Sequence, residues 1–314
     1  MHRSLISVSD LSDEDIFQLL ELSRVFVEVN TREIPKVPAL RGKTVATLFF
    51  ENSTRTRLSF ELAASRLSAD VLTFTLASSS VSKGESLRDT AETIESIGAD
   101  LIVMRHWSSG SVRLVNSWLD IPLINAGDGA HEHPTQALLD AVTLMDEFES
   151  GNRLDGLHIA IVGDVLHSRV ARSNVQLMTR LGASVTLVGP PSLLPADLSL
   201  WPVKVSNSLD EVLPSCDVIY VLRIQSERFS ESLMPSLSEF SKSFALNGAR
   251  LSKAKKDAVV MHPGPIIRGV EISGEVADSP QSLIRKQVEN GVSVRMATLY
   301  WLLGAGKGRL ESLW

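Results

Sequence analysis

Phe49-Phe50-Glu51-Asn52-Ser53-Thr54-Arg55-Thr56-Arg57 is the stretch on which the reading of this chain turns. An apolar run, Thr44 to Phe50, gives way there to hydroxyls and guanidinium groups before helical spacing begins. The pattern predicts strand, turn, helix. Ser53 suits the N-cap, and Leu58, Leu62 and Leu67, with Phe60 and Ala64 nearby, are expected to form a buried stripe. The first helical turn then offers unpaired backbone N–H groups and the positive end of the helix dipole. The Ser53, Thr54 and Thr56 hydroxyls and the Arg55 guanidinium surround them, and a phosphate fits such a site. So short a string also reads as a capped helix with solvated arginines; four donors on consecutive residues weigh against that.

Outward from this stretch, apolar runs alternate with helical patterns. An amphipathic opening helix over about 12 to 28 carries Ile16, Leu19, Leu20 and Val27, interrupted only by Ser23. After the Ser53 region come Val71 to Leu76, a helix from about Ser86 to Ile97, Asp100 to Met104, a short helix through Val115, and Ile121 to Ile124. A longer helix starts at Pro134 and runs toward Phe148. The polar, glycine-marked stretch Glu149 to Gly156 places a domain boundary near residue 150. A second alternation follows: Leu157 to Val162, a helix through Leu181, Ser184 to Val188, Val218 to Leu222, and Ala258 to Met261. The expected fold is α/β: two doubly wound domains, each with a central parallel sheet flanked by helices. Residues at the carboxyl ends of the strands should face ligand.

The whole chain sets limits on function. Its 314 residues suit two domains, and 44% hydrophobic with 22% charged residues is the composition of a soluble globular protein. A formal charge of -6 argues against a nucleic-acid surface while leaving room for a local basic pocket. The single cysteine, Cys216, excludes an internal disulfide framework and a thiolate zinc cluster, and reads as core filler. No signal peptide or membrane span is evident, so the expected location is the cytoplasm, with no membrane partner. Gly163-Asp164 lacks the spaced glycines of a dinucleotide turn, and no Walker lysine follows a strand, so no redox or nucleotide cofactor is expected. His131-Glu132-His133 puts two histidines on different sides of a helix mouth with no distant cluster to complete a metal site, so no metal is expected either.

Several other residues stand where chemistry can use them. Arg105 follows the Asp100 strand and can carry a charge into a cleft. His133, at a strand-to-helix turn, is placed to donate to a carbonyl or simply to cap the turn. Arg169 follows the Leu157 strand, and Arg223 and Gln225 follow the Val218 strand. Two arginines arriving from different strands suit two carboxylates, because a guanidinium pairs bidentately with each.

Ser53-Thr54-Arg55-Thr56-Arg57 after a strand resembles the carbamoyl phosphate loop of the aspartate and ornithine carbamoyltransferases. His133-Pro134-Thr135-Gln136 resembles the family's His-Pro-x-Gln motif, and Ser82-Lys83-Gly84-Glu85-Ser86 its mobile loop. His262-Pro263-Gly264-Pro265 and Arg268-Gly269-Val270-Glu271-Ile272 match a further motif in family order, with Asn52 and Ile267 as visible departures. The resemblance runs from about residue 3 to residue 300. Gly264 in place of a Cys, the absence of a Ser-Met-Gly string, and Arg223-x-Gln225 resemble the aspartate branch.

The resemblance implies transfer of the carbamoyl group of carbamoyl phosphate to the amine of L-aspartate, an early step of pyrimidine synthesis, without a cofactor. It implies a carbamoyl phosphate-binding domain over 1–150, joined by a C-terminal helix at about 285–305, and an aspartate-binding domain over 151–284. It implies that Ser53, Thr54, Arg55, Thr56 and Arg105, with Ser79 and Lys83 from a neighbouring subunit, hold the phosphate. Thr56, Arg105 and His133 would polarise the carbamoyl oxygen, while Gln136 and the backbone at Gly264 and Pro265 fix the carbamoyl nitrogen. Arg169, Arg223 and Gln225, with Lys83, would hold the aspartate carboxylates, and Glu51 would pair with Arg169 and Arg228 on domain closure. A homotrimer is implied, with dihydroorotase or a regulatory chain as a conceivable partner. Two other readings compete: a non-catalytic carbamoyltransferase-like scaffold, and a carbamoyltransferase for another amino acid.

Overall fold

The computed structural model describes residues 3–75, 85–225 and 236–304, so that Ser79, Lys83 and Arg228 lie outside the described residues. The chain divides into two compact units, residues 1–142 with 288–314 and residues 143–287.

Unit 1 begins with α1 (Asp13–Thr31), which is closed at its start by a reciprocal pair: Ser12 Oγ accepts from Asp15 N–H, and the Asp15 carboxylate accepts from Ser12 N–H. Then follow β1 (Thr44–Phe49), α2 (Thr54–Arg66), β2 (Asp70–Thr75), α3 (Leu87–Ser96), β3 (Leu101–His106), α4 (Ser111–Asn116), β4 (Leu123–Asp128) and α5 (Pro134–Glu147), which continues into unit 2 from Thr143. The strands form one parallel sheet, sheet A, in the order β2-β1-β3-β4. Successive side chains of a strand point to opposite faces, and the core follows that period of two. Val45, Phe49, Leu101 and Val103 join Phe26, Phe60, Leu67 and Met296 on one face. Ala46, Leu48, Ile102 and Met104 join Val112, Val115 and Leu123 on the other. Covering both faces is what makes these strands read as nearly unbroken apolar runs. Each fully buried Val, Leu, Ile, Phe or Met among them contributes about 1.5–3 kcal/mol relative to exposure.

Two expectations need correction here. The buried stripe of α2 is Thr56, Phe60, Ala63 and Ala64, continuing to Leu67, whereas Leu58 and Leu62 are 52% and 41% exposed. Burial follows the 3.6-residue phase set by Phe60, and Leu58 and Leu62 fall off that phase. The strand expected at Ile121 to Ile124 begins at Leu123 and runs on to Asp128. Its second half is polar but internally satisfied: Asn125 Nδ2 donates to Ile6 O and to Asp128 Oδ1, and Gly127 N–H donates to Asn125 Oδ1.

Unit 2 contains β5 (His158–Val162), α6 (Arg169–Arg180), β6 (Ser184–Val188), β7 (Val203–Ser206), α7 (Leu209–Val212), β8 (Val218–Val221), α8 (Leu237–Phe244), α9 (Gly248–Leu251), β9 (Val259–Met261) and α10 (Gly274–Ala277). Sheet B is parallel, in the order β7-β6-β5-β8-β9. Its core includes Val162, Ile219, Phe240, Leu246 and Val260 together with Cys216, whose thiol burial pushes up to about 11. The last helix, α11 (Ile284–Leu303), starts in unit 2 and continues in unit 1. No helix among the described residues is long and apolar enough to cross a membrane.

Candidate active site

Each sheet reverses its direction of winding at one place. From β1 the chain goes to β2 on one side and then to β3 on the other; from β5 it goes to β6 and β7 on one side and then to β8 on the other. Loops leaving two such strands diverge and open a crevice at their carboxyl ends. Ser53 to Thr56 and Arg105 sit at the first of these places and Arg169, Arg223 and Gln225 at the second, whereas His133 and Gln136 follow β4 and Gly264 and Pro265 follow β9.

In unit 1, β1 and β3 run in parallel register to Phe49 and Arg105, and Phe50 N–H donates to Arg105 O at 2.9 Å. Arg105 donates from Nε to Glu51 Oε2 at 3.0 Å, which sets the plane of its guanidinium. Ser53 occupies the N-cap of α2 but its side chain makes no capping bond, contrary to the expectation of a side-chain cap. Its backbone, at φ -157° and ψ 96°, is extended, and the first-turn N–H groups of α2 are left to other acceptors. Thr56 is buried at the foot of the helix, and Arg55 is exposed on it.

β4 delivers the next group. His133 and Gln136 are 4% and 8% exposed, flanking Pro134, whose lack of an N–H is harmless at a helix start. The turn before them is built on Asp128, fully buried, which accepts from Gly110 N–H at 2.7 Å and Glu132 N–H at 3.2 Å. His131 Nδ1 faces the same carboxylate at 3.1 Å, and that bond holds the imidazole above its ordinary pKa despite burial. Glu132 accepts from Ser7 Oγ at 2.8 Å. His106 is the opposite case: burial lowers its pKa, and its Nδ1 accepts from Ser108 N–H at 2.9 Å. Gln136 donates from Nε2 to Asp140 Oδ1 at 3.0 Å.

In unit 2, Gly163 directly follows β5 at φ +125°, and a Cβ there would lie 3.1 Å from Leu222 O, so glycine permits the close approach of the β5 and β8 ends. Asp164, fully buried, accepts from His167 N–H at 3.2 Å and from Gln225 N–H at 3.4 Å. Burial pushes the Asp164 carboxyl up, while the His167 ring at 2.9 Å pulls it down. Gln225 Nε2 donates back to His167 O at 3.2 Å, so the segments bearing Arg169 and Arg223 are tied together. Arg169, 5% exposed, opens α6 directly after the capping Ser168. After β9, His262 Nδ1 accepts from Gly264 N–H at 2.8 Å, leaving Nε2 to donate to Glu271 Oε1 at 3.2 Å. Glu271 Oε1 also accepts from Ile267 N–H at 2.6 Å, a backbone contact that any residue at 267 supplies.

Two buried acids, Asp128 and Asp140, escaped the sequence reading, and two more, Asp164 and Glu271, were quoted only within longer strings and given no role. The available signal was a lone acid at a strand end or inside an apolar helical run, as in Ala137-Leu138-Leu139-Asp140-Ala141-Val142.

Residues 3–146 match the family model for the aspartate/ornithine carbamoyltransferase carbamoyl-P binding domain, and residues 155–302 match the Asp/Orn binding domain of the same family. The chain is 55% identical over 300 residues to the aspartate carbamoyltransferase catalytic subunit of Thermobifida fusca, covering 96% of this chain and 95% of that one. It is 53% identical over 310 residues to the corresponding subunit of Acidothermus cellulolyticus, at 99% and 95% coverage. Among solved structures it is similar to aspartate transcarbamoylase from Trypanosoma cruzi in complex with carbamoyl phosphate and aspartate, with a TM-score of 0.87, 34% identity and coverage of 96% and 97%. It is likewise similar to the catalytic subunit of M. jannaschii aspartate transcarbamoylase, with a TM-score of 0.83, 41% identity and coverage of 96% and 97%. With both domains matched in order, the chain belongs to the aspartate/ornithine carbamoyltransferase family.

Proposed function

We infer that this chain is an aspartate carbamoyltransferase catalytic chain. It transfers the carbamoyl group of carbamoyl phosphate to the amine of L-aspartate, giving N-carbamoyl-L-aspartate and phosphate. One observation carries the reading: in a chain matched by this family over residues 3–146 and 155–302, the sheet A switch point bears an anion-type helix start with Arg105, and the sheet B switch point bears Arg169, Arg223 and Gln225.

The proposed assignment follows from the donors. Ser53, Thr54, Arg55 and Thr56, at the start of α2, hold the phosphate with Arg105. Thr56, Arg105 and His133 donate to the carbamoyl oxygen as it becomes an oxyanion. Gln136 and the backbone at Gly264 and Pro265 meet the carbamoyl nitrogen. Arg169, Arg223 and Gln225 take the two aspartate carboxylates. The neutral amine attacks the carbonyl carbon, an N–C bond forms, the C–O bond to phosphate breaks, and the amine proton leaves with the departing phosphate. Orientation and charge stabilisation carry the rate, with no protein nucleophile.

The same reading takes residues 1–150 with about 285–305 as the carbamoyl phosphate domain and 151–284 as the aspartate domain, in a cytoplasmic enzyme of pyrimidine synthesis. It also takes the assembly to be a homotrimer in which Ser79 and Lys83 enter a neighbour's site. Support comes from Leu58, Leu62 and Leu72, which are 52%, 41% and 41% exposed on α2 and on the edge strand β2, directly before the segment carrying Ser79 and Lys83.

Incubation with carbamoyl phosphate and L-aspartate tests the reading. One ureido product of the mass of N-carbamoyl-L-aspartate per phosphate released is expected. Phosphate release from folded protein without that product would contradict it.

A further inference from the structure

A primary amide has a donor end and an acceptor end that are nearly alike in shape, so its partners decide which end faces where. Gln136 places Nε2 3.0 Å from Asp140 Oδ1, one helical turn further along α5. A carboxylate accepts and does not donate, so the NH2 end of the amide is the end that suits this contact. Oε1, the acceptor end, is thereby turned away from Asp140.

Asp140 is fully buried, and its charge acts on Arg295 of α11, itself 5% exposed, favouring the charged guanidinium. Burial lowers the Arg295 pKa to about 10, with Asp140 opposing and Arg55 adding to the shift, so the guanidinium is a cation at neutral pH. Arg295 Nη1 donates to Ser59 Oγ of α2 at 2.8 Å and to Gly291 O at 3.1 Å, and the guanidinium carbon lies 5.1 Å from the centre of the Phe60 ring. A Cβ at Gly291 would come within 2.6 Å of that Nη1, so the glycine makes room for the cation. Helices α2, α5 and α11 thus meet at a buried acid and cation, and the acid holds the Nε2 end of Gln136.

We propose that Asp140 sets acyl-group specificity, by locking the Gln136 amide with Oε1 outward so that the site accepts an acyl phosphate bearing an NH2 donor and rejects acetyl phosphate. The proposal rests on the reading above that Gln136 meets the carbamoyl nitrogen. A methyl group in place of NH2 leaves Oε1 unpaired, and sites built to hydrogen-bond a substrate group reject analogues lacking it far better than a matched cavity does. Asp140 is a positioning residue here, acting through Gln136.

The full-length protein and its Asp140→Asn and Gln136→Met variants are assayed with carbamoyl phosphate and with acetyl phosphate, L-aspartate being the acceptor in both. Product mass and phosphate release are read, and binding of inorganic phosphate is measured alongside. An asparagine can meet either end of the Gln136 amide, so the carbamoyl-to-acetyl ratio of kcat/KM should fall about tenfold or more in Asp140→Asn. Gln136→Met should lower the ratio in the same way, and the double variant should lower it no further. Inorganic phosphate affinity should stay within about twofold. Equal loss for both acyl phosphates in Asp140→Asn, with the ratio kept, would overturn the proposal as mere destabilisation. If Asp140→Asn does not fold, the combined Gln136→Glu and Asp140→Asn variant, in which amide and carboxylate trade places, carries the test. A ratio near wild type supports the lock, and one as low as in Gln136→Met overturns it. Wild-type protein that forms no carbamoyl product overturns the functional reading together with this proposal; a productive wild type with an unmoved ratio overturns this proposal alone.

Discussion

Glu51, two residues past the end of β1, accepts from Arg105 Nε at 3.0 Å, and Arg105 lies on the neighbouring strand β3 in register with Phe49. The resemblance implies Arg169 and Arg228 as partners of Glu51; within unit 1 its partner is the arginine assigned to phosphate. Replacing Glu51 by Gln should therefore weaken carbamoyl phosphate binding about fivefold, the value of a partly exposed charge-assisted bond. Separate KM values for the two substrates decide the matter. A raised aspartate KM with carbamoyl phosphate affinity intact would return Glu51 to the aspartate side.

Asp164 joins the loop after β5 to the chain after β8 through His167 and Gln225. Its replacement by Asn keeps the shape but removes the charge that accepts both N–H groups. The aspartate KM should rise about tenfold, since a bond to a charged acceptor contributes about 1.5–3 kcal/mol, while carbamoyl phosphate binding to the free enzyme stays near wild type. Equal losses on both substrates would mean that Asp164 only supports the fold.

His131 should make stability depend on pH. The Asp128 hydrogen bond is the main force raising its pKa above 6.5; Asp128 and Glu132 charges add to it, while burial and Arg113 oppose it. A histidine whose folded pKa is raised binds its proton more tightly when folded, so its contribution is complete below about pH 6.5 and fades as pH rises through the folded value. The melting-temperature difference between wild type and His131→Asn should be largest near pH 5.5 and shrink toward pH 8.5. A difference independent of pH would show that His131 is not charged in this way.

The exposed leucines at the β2 edge test the assembly. Leu62→Glu places a charge where the proposal puts a subunit contact, so light scattering should report a smaller species with little carbamoyl transfer, because Ser79 and Lys83 no longer reach a neighbour. An unchanged mass would remove this face from the interface.

The strands were legible because sheets covered on both faces write themselves as apolar runs: Ser184 to Val188 was read to the residue as β6. The site motifs were legible because each follows such a run at a turn. What escaped has physical reasons. Leu58 and Leu62 look like core by type, and only the helical phase shared with Phe60 shows them to be outside it. The second half of β4 is polar because its groups satisfy one another within the fold. β7, at the sheet edge with Lys204 and Val205 exposed, gives no continuous apolar run. Asp128, Asp140 and Asp164 act through bonds that only folding brings together.

Carbamoyl phosphate-dependent formation of carbamoylated product, with L-aspartate and L-ornithine compared side by side, tests the central claim most directly. The account predicts product with L-aspartate and none with L-ornithine, lost when Arg223 is replaced by Ala. Product with L-ornithine, or with neither amino acid from folded trimeric protein, would contradict it.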